Sequence, residues 1–477
     1  MFATALASPI AAPLRALANP LRAEPGSNTR KFLNWALVWV VLLNAPFVPM
    51  WFVGGPSRFA LIVLFGGIGL FSRSFPAWQR QLLFGAALTF AVLRQIAGIF
   101  NLEMTSLLHS IRFLVELSPG NSTEYIVGGL VLALTAGLGL VLARRPMDFS
   151  GDKAMLGAAA GIALLVGGDY AANYDLRGHY KQEAPSDARF ESGSVNSGWA
   201  SAADGKRHQL LVVVESLGLP SKDPELRRRL FASFLSPAVR ERYTVTTGTS
   251  LYYNSTTAGE IRELCGRWGD YHDLVEKRDD SCLPARLARR GYDTVAWHSF
   301  EGSFFSRERW YPNIGFAKRV FAHDLVAQGT GVCGGVFPGA CDRNVPPLIG
   351  QTLAAARKPT FLYWLTVNAH LPVPPGENLG DEDCARISPR LARDMPMVCR
   401  QLAIWQSVDR ALAKTVMAKD FPATDILIVG DHMPPYFDRT MRTQFDARHV
   451  PWIRLSPIAR DGAAQLAKAT PRADRPA

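Results

Sequence analysis

Apolar residues gather in the first third of the chain, and this distribution limits its possible folds more than any motif does. Long apolar stretches fill the segment from Lys31 to Ala171, whereas the sequence after Asn173 reads as that of a mixed soluble protein. Five stretches, 32–54, 57–72, 81–100, 124–143 and 154–171, approach or exceed the length of a bilayer-crossing helix, and 57–72 is the shortest. The expectation is a cytoplasmic tail over 1–31, followed by a five-helix transmembrane domain over 32–172. Orientation follows from the cations in short connections. Arg15, Arg22, Arg30 and Lys31 precede the first stretch, Arg73 and Arg80 separate the second from the third, and Arg144, Arg145 and Lys153 separate the fourth from the fifth. These segments belong on the cytoplasmic side. The connection with Glu103, Glu116 and Glu124 against Arg112 belongs outside, and five crossings then place the C-terminal region outside too. No cleavage pattern precedes the first stretch, so it reads as retained.

All six cysteines (Cys265, Cys282, Cys333, Cys341, Cys384 and Cys399) fall in that C-terminal region, as an oxidising compartment would favour. Pairing each with its neighbour in sequence is the simplest arrangement. A structural zinc site is disfavoured because no Cys-x-x-Cys spacing occurs. The net charge of +11 does not call for a nucleic-acid partner. Much of the excess lies in the cytoplasmic loops, and Arg227-Arg228-Arg229 reads as a solvated helix face. Within the membrane part, Arg94 is expected to snorkel to the interface, and Met104 to Leu117 reads as an amphipathic helix on the outer leaflet.

A polar linker over 173–208 leads into a region where strand-like and helical runs alternate. Strands are expected at 209–214, 293–297, 360–367 and 425–430, and helices near 222–234, 283–290 and 400–418. This alternation predicts an α/β domain over 209–460 with a mainly parallel sheet, followed by a flexible tail over 461–477. In such sheets ligands bind at the carboxyl ends of the strands. Leu210 to Val214 ends in Glu215, and Ile426 to Gly430 ends in Asp431-His432. Either run alone reads as a turn or a helix cap; together they can hold a divalent ion. His298 and His370 follow two further strands at the same edge, and His449 is added as a further candidate. A nucleophile is supplied by Tyr253-Asn254-Ser255-Thr256-Thr257, just ahead of a helical stretch whose positive end would favour phosphate. Ser255 or Thr256 as a simple helix cap is the competing reading.

With these residues in place, the chain resembles the membrane-anchored transferases of the alkaline-phosphatase and sulfatase superfamily, which include lipoteichoic acid synthases, phosphoglycerol transferases and phosphoethanolamine transferases. The resemblance implies an alkaline-phosphatase-like α/β sandwich. It makes Thr256 the nucleophile and Glu215, Thr256, Asp431 and His432 the ligands of one or more zinc or manganese ions. The block from Gly291 to His298 with Ser303 to Arg307 is similar to the family's substrate segment, and Thr366 to Pro372 to its substrate-histidine motif. His298, Arg307, His370 and His449 are therefore expected on substrate. The Cys-x-Pro-x-Arg signature of sulfatases is absent around the nucleophile, which argues against sulfate-ester hydrolysis. The implied reaction moves phosphoethanolamine or phosphoglycerol from a phospholipid to a periplasmic glycan or glycolipid through a phospho-threonine, at the inner membrane. The alternatives are a hydrolase and a non-catalytic binding protein that keeps the fold.

Overall fold

The computed structural model describes residues 26–53, 56–99, 122–173, 187–381 and 384–458, with isolated positions at 104, 107, 108, 111, 120 and 184. The chain divides into two compact units, one from residues 1–109 and 122–182, the other from 110–121 and 183–477. Most of the expected surface helix over Met104 to Leu117, the tail before residue 26 and the tail over 461–477 lie outside the described residues.

In the first unit, three helices among the described residues are long and apolar enough to cross a membrane: Ala77–Ile99, Thr123–Leu142 and Asp152–Ala172. The expectation of five is corrected for physical reasons. The first stretch begins as a helix, Asn28–Trp35, continues as π-helical turns over Ala36–Leu42, and then breaks into a 3₁₀ turn at Ala45–Phe47 and a short turn at Met50–Val53. Pro46 and Pro49 lie at the break, and each removes a backbone donor and clashes with the preceding turn. The second stretch yields a helix of 13 residues, Phe59–Phe71. At about 1.5 Å per residue this falls well short of a hydrocarbon core about 30 Å thick. Arg94 is exposed, whereas Arg80 is buried and donates to the carbonyls of Ala143 and Arg145, satisfying groups left open at the end of Thr123–Leu142.

The second unit is built on a seven-stranded sheet in the order β2-β9-β8-β1-β7-β3-β4. The strands are β1 His208–Val214, β2 Tyr243–Leu251, β3 Asp293–His298, β4 Lys318–Val320, β7 Thr360–Leu365, β8 Thr424–Gly430 and β9 His449–Pro457; a separate ribbon pairs β5 Val332–Cys333 with β6 Gly339–Ala340. β8, β1, β7, β3 and β4 run parallel to one another, β9 runs antiparallel to β8, and β2 runs antiparallel to β9. Every residue of β1, β7 and β8 is buried, as strands covered on both faces must be. Leu210, Val212, Leu362, Trp364 and Ile428 pack on one face against Pro396–Val416 and Val345–Ala355. Leu211, Val213, Tyr363, Leu365 and Val429 pack on the other against Thr256–Cys265, Leu283–Arg289 and Arg307–Asn313.

All four expected strands form. The helix expected over 222–234 is confined to Pro224–Arg229, and Phe231 beyond it takes a φ of 57°. The three disulfides join Cys265 to Cys282, Cys333 to Cys341 and Cys384 to Cys399, each to its neighbour in sequence.

Gly430 closes β8 beneath the turn that follows β1. A Cβ at this position would lie 2.0 Å from the Leu217 carbonyl oxygen. Gly430→Ala should therefore push the two strand ends apart and destabilise the domain by about 1–3 kcal/mol, measured by thermal or denaturant unfolding of the detergent-solubilised chain.

Candidate active site

The parallel register carries β1 and β8 to the same sheet edge, where Val214 lies opposite Gly430. Glu215 and Asp431 then leave the sheet side by side. Ser216, with a φ of 54°, turns the chain sharply after Glu215; its backbone N–H donates to Asp431 Oδ1 at 2.8 Å and its hydroxyl donates to Glu215 Oε1 at 2.8 Å. Glu215 is fixed further by its own N–H donating to Thr366 Oγ1 at 2.9 Å and by Trp405 Nε1 donating to its carbonyl at 3.3 Å.

Thr256 reaches this pair from the first position of its ten-residue helix, behind Asn254, which has a φ of 64°. Its hydroxyl lies 3.2 Å from Glu215 Oε2 and 3.2 Å from His432 Nε2. Ser255 makes no capping bond from its side chain, so the hydroxyl that meets the carboxylate and the imidazole is that of Thr256. Gly259 allows this approach: a Cβ there would lie 3.0 Å from Asp431 Cβ and 3.1 Å from its Cα.

His432 Nε2 lies 3.6 Å from Glu215 Oε1 and 3.4 Å from Asp431 Oδ2, and its Nδ1 is 2.8 Å from the Met433 carbonyl. A carbonyl can only accept, so Nδ1 carries a proton and Nε2 is the atom turned to the carboxylates, its lone pair open to a cation when the ring is neutral. Glu215, Asp431 and His432 present ligand atoms within 4.8 Å of one another, all three are buried, and Asp431 Oδ2 lacks a hydrogen-bond donor among the described residues. Two buried carboxylates and an imidazole lone pair beside a hydroxyl make a donor set that fits a divalent cation. Burial and the neighbouring Glu215 carboxylate push Asp431 up to about 6. Burial opposes protonation of His432, but Asp431 and Glu215 raise it above the ordinary imidazole value.

His370 lies close enough to His432 and Asp431 for their charges to act on it, and His298 ends β3 at the same sheet edge. His298 is 2% exposed, its Nδ1 is 3.3 Å from the Leu365 carbonyl, and its Nε2 has no hydrogen-bond partner among the described residues. Burial, aided by Arg307, holds it well below the ordinary value. His370 points Nδ1 at the Leu371 carbonyl, 2.8 Å away, and burial together with the nearby His432 pushes it down to about 4. Both rings are neutral near pH 7 and present Nε2 as an acceptor.

Two expected members are placed differently. Arg307 is committed to Glu260: Nε and Nη2 both donate to Glu260 Oε2, at 3.0 and 2.7 Å, and Nη1 donates to the Phe304 carbonyl. At 1% exposure it faces this carboxylate, and its contacts are not those of a phosphoryl ligand. The two positions before it, Phe305 and Ser306, with φ of 55° and 54°, set the bend that turns it inward. His449 opens β9 with Nδ1 3.1 Å from Asp446 Oδ1, and among the described residues no hydrogen bond or ion pair joins it to the cluster.

Several supporting residues carry no signal in a strand-end reading. Glu260 also accepts from Tyr311 and Tyr363. Arg262 donates to the carbonyls of Asp431 and Gly430 at 3.1 and 2.7 Å and pairs with Glu263 at 2.7 Å. Charges at helical spacing normally read as a solvated face; here the run Glu260-Ile261-Arg262-Glu263 is at most 1% exposed. The one available cue is its position just beyond the threonine pair, with Ala258 and Gly259 between.

Residues 227–452 match the model of the sulfatase family, and they lie within the second unit, whose sheet is mainly parallel. Glu215 lies upstream of the matched segment and joins it through β1. Among curated proteins none matches the chain. Similar solved structures include the lipoteichoic acid synthase LtaP from Listeria monocytogenes, at 15% identity and a TM-score of 0.40, covering 56% of this chain and 72% of that one. The C-terminal periplasmic domain of EcEptC from Escherichia coli is 14% identical with a TM-score of 0.35, covering 56% and 76%. The Streptococcus pyogenes phosphoglycerol transferase GacH, in complex with sn-glycerol-1-phosphate, is 17% identical with a TM-score of 0.34, covering 57% and 77%.

Asp431→Ala should abolish stoichiometric binding of zinc or manganese, measured by elemental analysis or calorimetry. In the wild type, a proton competes for Asp431 below about pH 6, so metal affinity should weaken as pH falls through that value. Glu260→Ala would leave the Arg307 guanidinium buried without its carboxylate, and the domain should lose about 3–5 kcal/mol in a denaturation experiment.

Proposed function

We propose that the chain is a membrane-anchored phosphotransferase that moves a phosphoalcohol head group, phosphoethanolamine or phosphoglycerol, from a phospholipid to a periplasmic glycan or glycolipid. The observation that carries this reading is the Thr256 hydroxyl at 3.2 Å from both a carboxylate and an imidazole lone pair, at the head of a helix. That position suits a nucleophile that must approach phosphorus and carry the resulting anionic diester.

Glu215, Asp431, His432 and Thr256 would hold a divalent ion, zinc or manganese, which when bound lowers the pKa of the threonine hydroxyl and offsets phosphoryl charge. Thr256 Oγ1 attacks phosphorus and the bond from phosphorus to the glyceride oxygen breaks, releasing diacylglycerol. The hydroxyl proton leaves through Glu215 Oε2, and the departing glyceride oxygen takes up a proton from solvent, so that neutral diacylglycerol is released. An acceptor hydroxyl then attacks the phospho-threonine, the bond from phosphorus to Oγ1 breaks, and Thr256 regains its proton. His298 and His370 line the head-group side, where their Nε2 lone pairs match hydroxyl or ammonium hydrogens. Arg307 serves through Glu260 as a positioning residue. The apolar helices of the first unit would keep the domain over 209–460 beside its lipid donor at the inner membrane, and three disulfides favour the oxidising periplasmic side. A crossing count of three preserves the expected sidedness as well as five does.

The test is mass spectrometry of protein trapped during turnover with phosphatidylethanolamine or phosphatidylglycerol. A phosphoethanolamine or phosphoglycerol adduct should appear on the peptide containing Thr256 and be missing in Thr256→Ala. Lipid cleavage that proceeds undiminished in Thr256→Ala would rule out the covalent route. Release of head group in the absence of any glycan acceptor at the rate seen with one would favour hydrolysis.

A further inference from the structure

The segment from Thr330 to Asn344 takes no part in the metal-ligand cluster, yet it touches the chain on both sides of His370. Cys333 and Cys341 close it covalently, and β5 pairs with β6 beside that bond. One flank is tied to the chain after His370: Gly334 N–H donates to the Glu377 carbonyl at 2.8 Å, Arg343 donates to the Asn378 carbonyl, and Asn378 Nδ2 donates to the Val332 carbonyl at 2.9 Å. The other flank is tied to the chain before it. Asp342 Oδ2 accepts from the backbone N–H groups of Val367 and Asn368 at 2.9 and 2.6 Å, and Asn368 returns the contact by accepting from the Asp342 N–H and donating to the Ala340 carbonyl. Between these ties lies Phe337, 4% exposed, with its ring centroid 4.3 Å from that of His370 and the planes at 79°.

Resting on the phosphotransferase reading above, we propose that Phe337 and Asp342 are positioning residues that set the direction of His370 Nε2, with the disulfide-closed segment as their rigid frame. Two constraints settle an imidazole on a fixed backbone, and both are present. Asp342 holds the turn from which His370 rises, with the His370 N–H donating to the Val367 carbonyl at 3.0 Å. The Leu371 carbonyl and the Phe337 ring then define the rotation of the ring about its own side-chain bonds. Phe300 and Phe304, at centroid distances of 5.4 and 5.1 Å, back Phe337 so that it does not yield. Geometry held this closely is what a substrate-facing histidine requires, since a displacement of about 1 Å can cost about a hundredfold in rate.

The test compares Phe337→Ala, Phe337→Leu, Phe337→Tyr and Asp342→Asn in the full chain, with metal content measured on each. Phe337→Leu retains core volume should the alanine variant fail to fold. The first readout needs no turnover: carbethoxylation of His370 by diethyl pyrocarbonate, followed on its peptide by mass spectrometry. It should accelerate several-fold in Phe337→Ala or Phe337→Leu and remain at the wild-type rate in Phe337→Tyr. The second is head-group transfer, where kcat should fall by about tenfold to a hundredfold with metal content unchanged, and where His370→Ala combined with Phe337→Ala should fall no further than His370→Ala alone. Unaltered His370 reactivity in the alanine and leucine variants, or additive losses in the double variant, would overturn the proposal. A wild type that transfers no head group would remove the phosphotransferase reading, while the modification experiment would still decide whether Phe337 holds the ring.

Discussion

The site depends on one buried electrostatic contact, the seating of helix Thr256–Cys265 on the end of β8. Arg262 grips the carbonyls of Gly430 and Asp431, Glu263 balances it, and two residues earlier Glu260 is locked to Arg307 and two tyrosines. A buried ion pair is weak evidence for net stability, because desolvation offsets most of the attraction. Its value here is geometric. A helix held by apolar contacts alone can slide by a fraction of a turn, whereas a guanidinium bridging two named carbonyls has one register. That register brings Thr256 Oγ1 within 3.2 Å of Glu215 and His432.

The same register concentrates negative charge. Glu215 and Asp431 converge in a buried volume with a single imidazole between them, and the rise of Asp431 to about 6 expresses the cost. A divalent cation held here would relieve this repulsion and satisfy Asp431 Oδ2 together. The left-handed backbone at Ser216 and Asn254 belongs to the same arrangement. Each lies within two residues of a cluster member and carries conformational strain that the surrounding hydrogen bonds retain.

Much of this architecture is readable from residue order. β1, β7 and β8 announce themselves as uninterrupted apolar runs because both their faces are covered, and the polar residues that end β1 and β8 then stand out. β2 and β9 escape that reading. β2 is rich in threonine with Gly248 at its middle and lies at an edge, and β9 carries Pro451 near its start, which in isolation argues against a strand. The apolar composition of the first unit is equally plain, yet Pro46 and Pro49 divide its opening stretch. Least legible were Glu260, Arg262 and the inward turn of Arg307, because charges in helices are ordinarily solvated and their burial depends on partners distant in sequence. His370 was visible at its strand end, but Asp342 and Phe337 were not, since only tertiary contact relates them to it.

The three disulfides enclose separate rings that neither overlap nor nest, with partners 17, 8 and 15 residues apart. A polypeptide delivered N-terminus first to an oxidising compartment can thus complete each bond from the two most recently emerged thiols, before the next cysteine arrives. Correct pairing then needs no long-range search and little reshuffling, so oxidative maturation can keep pace with export and can precede closure of the sheet.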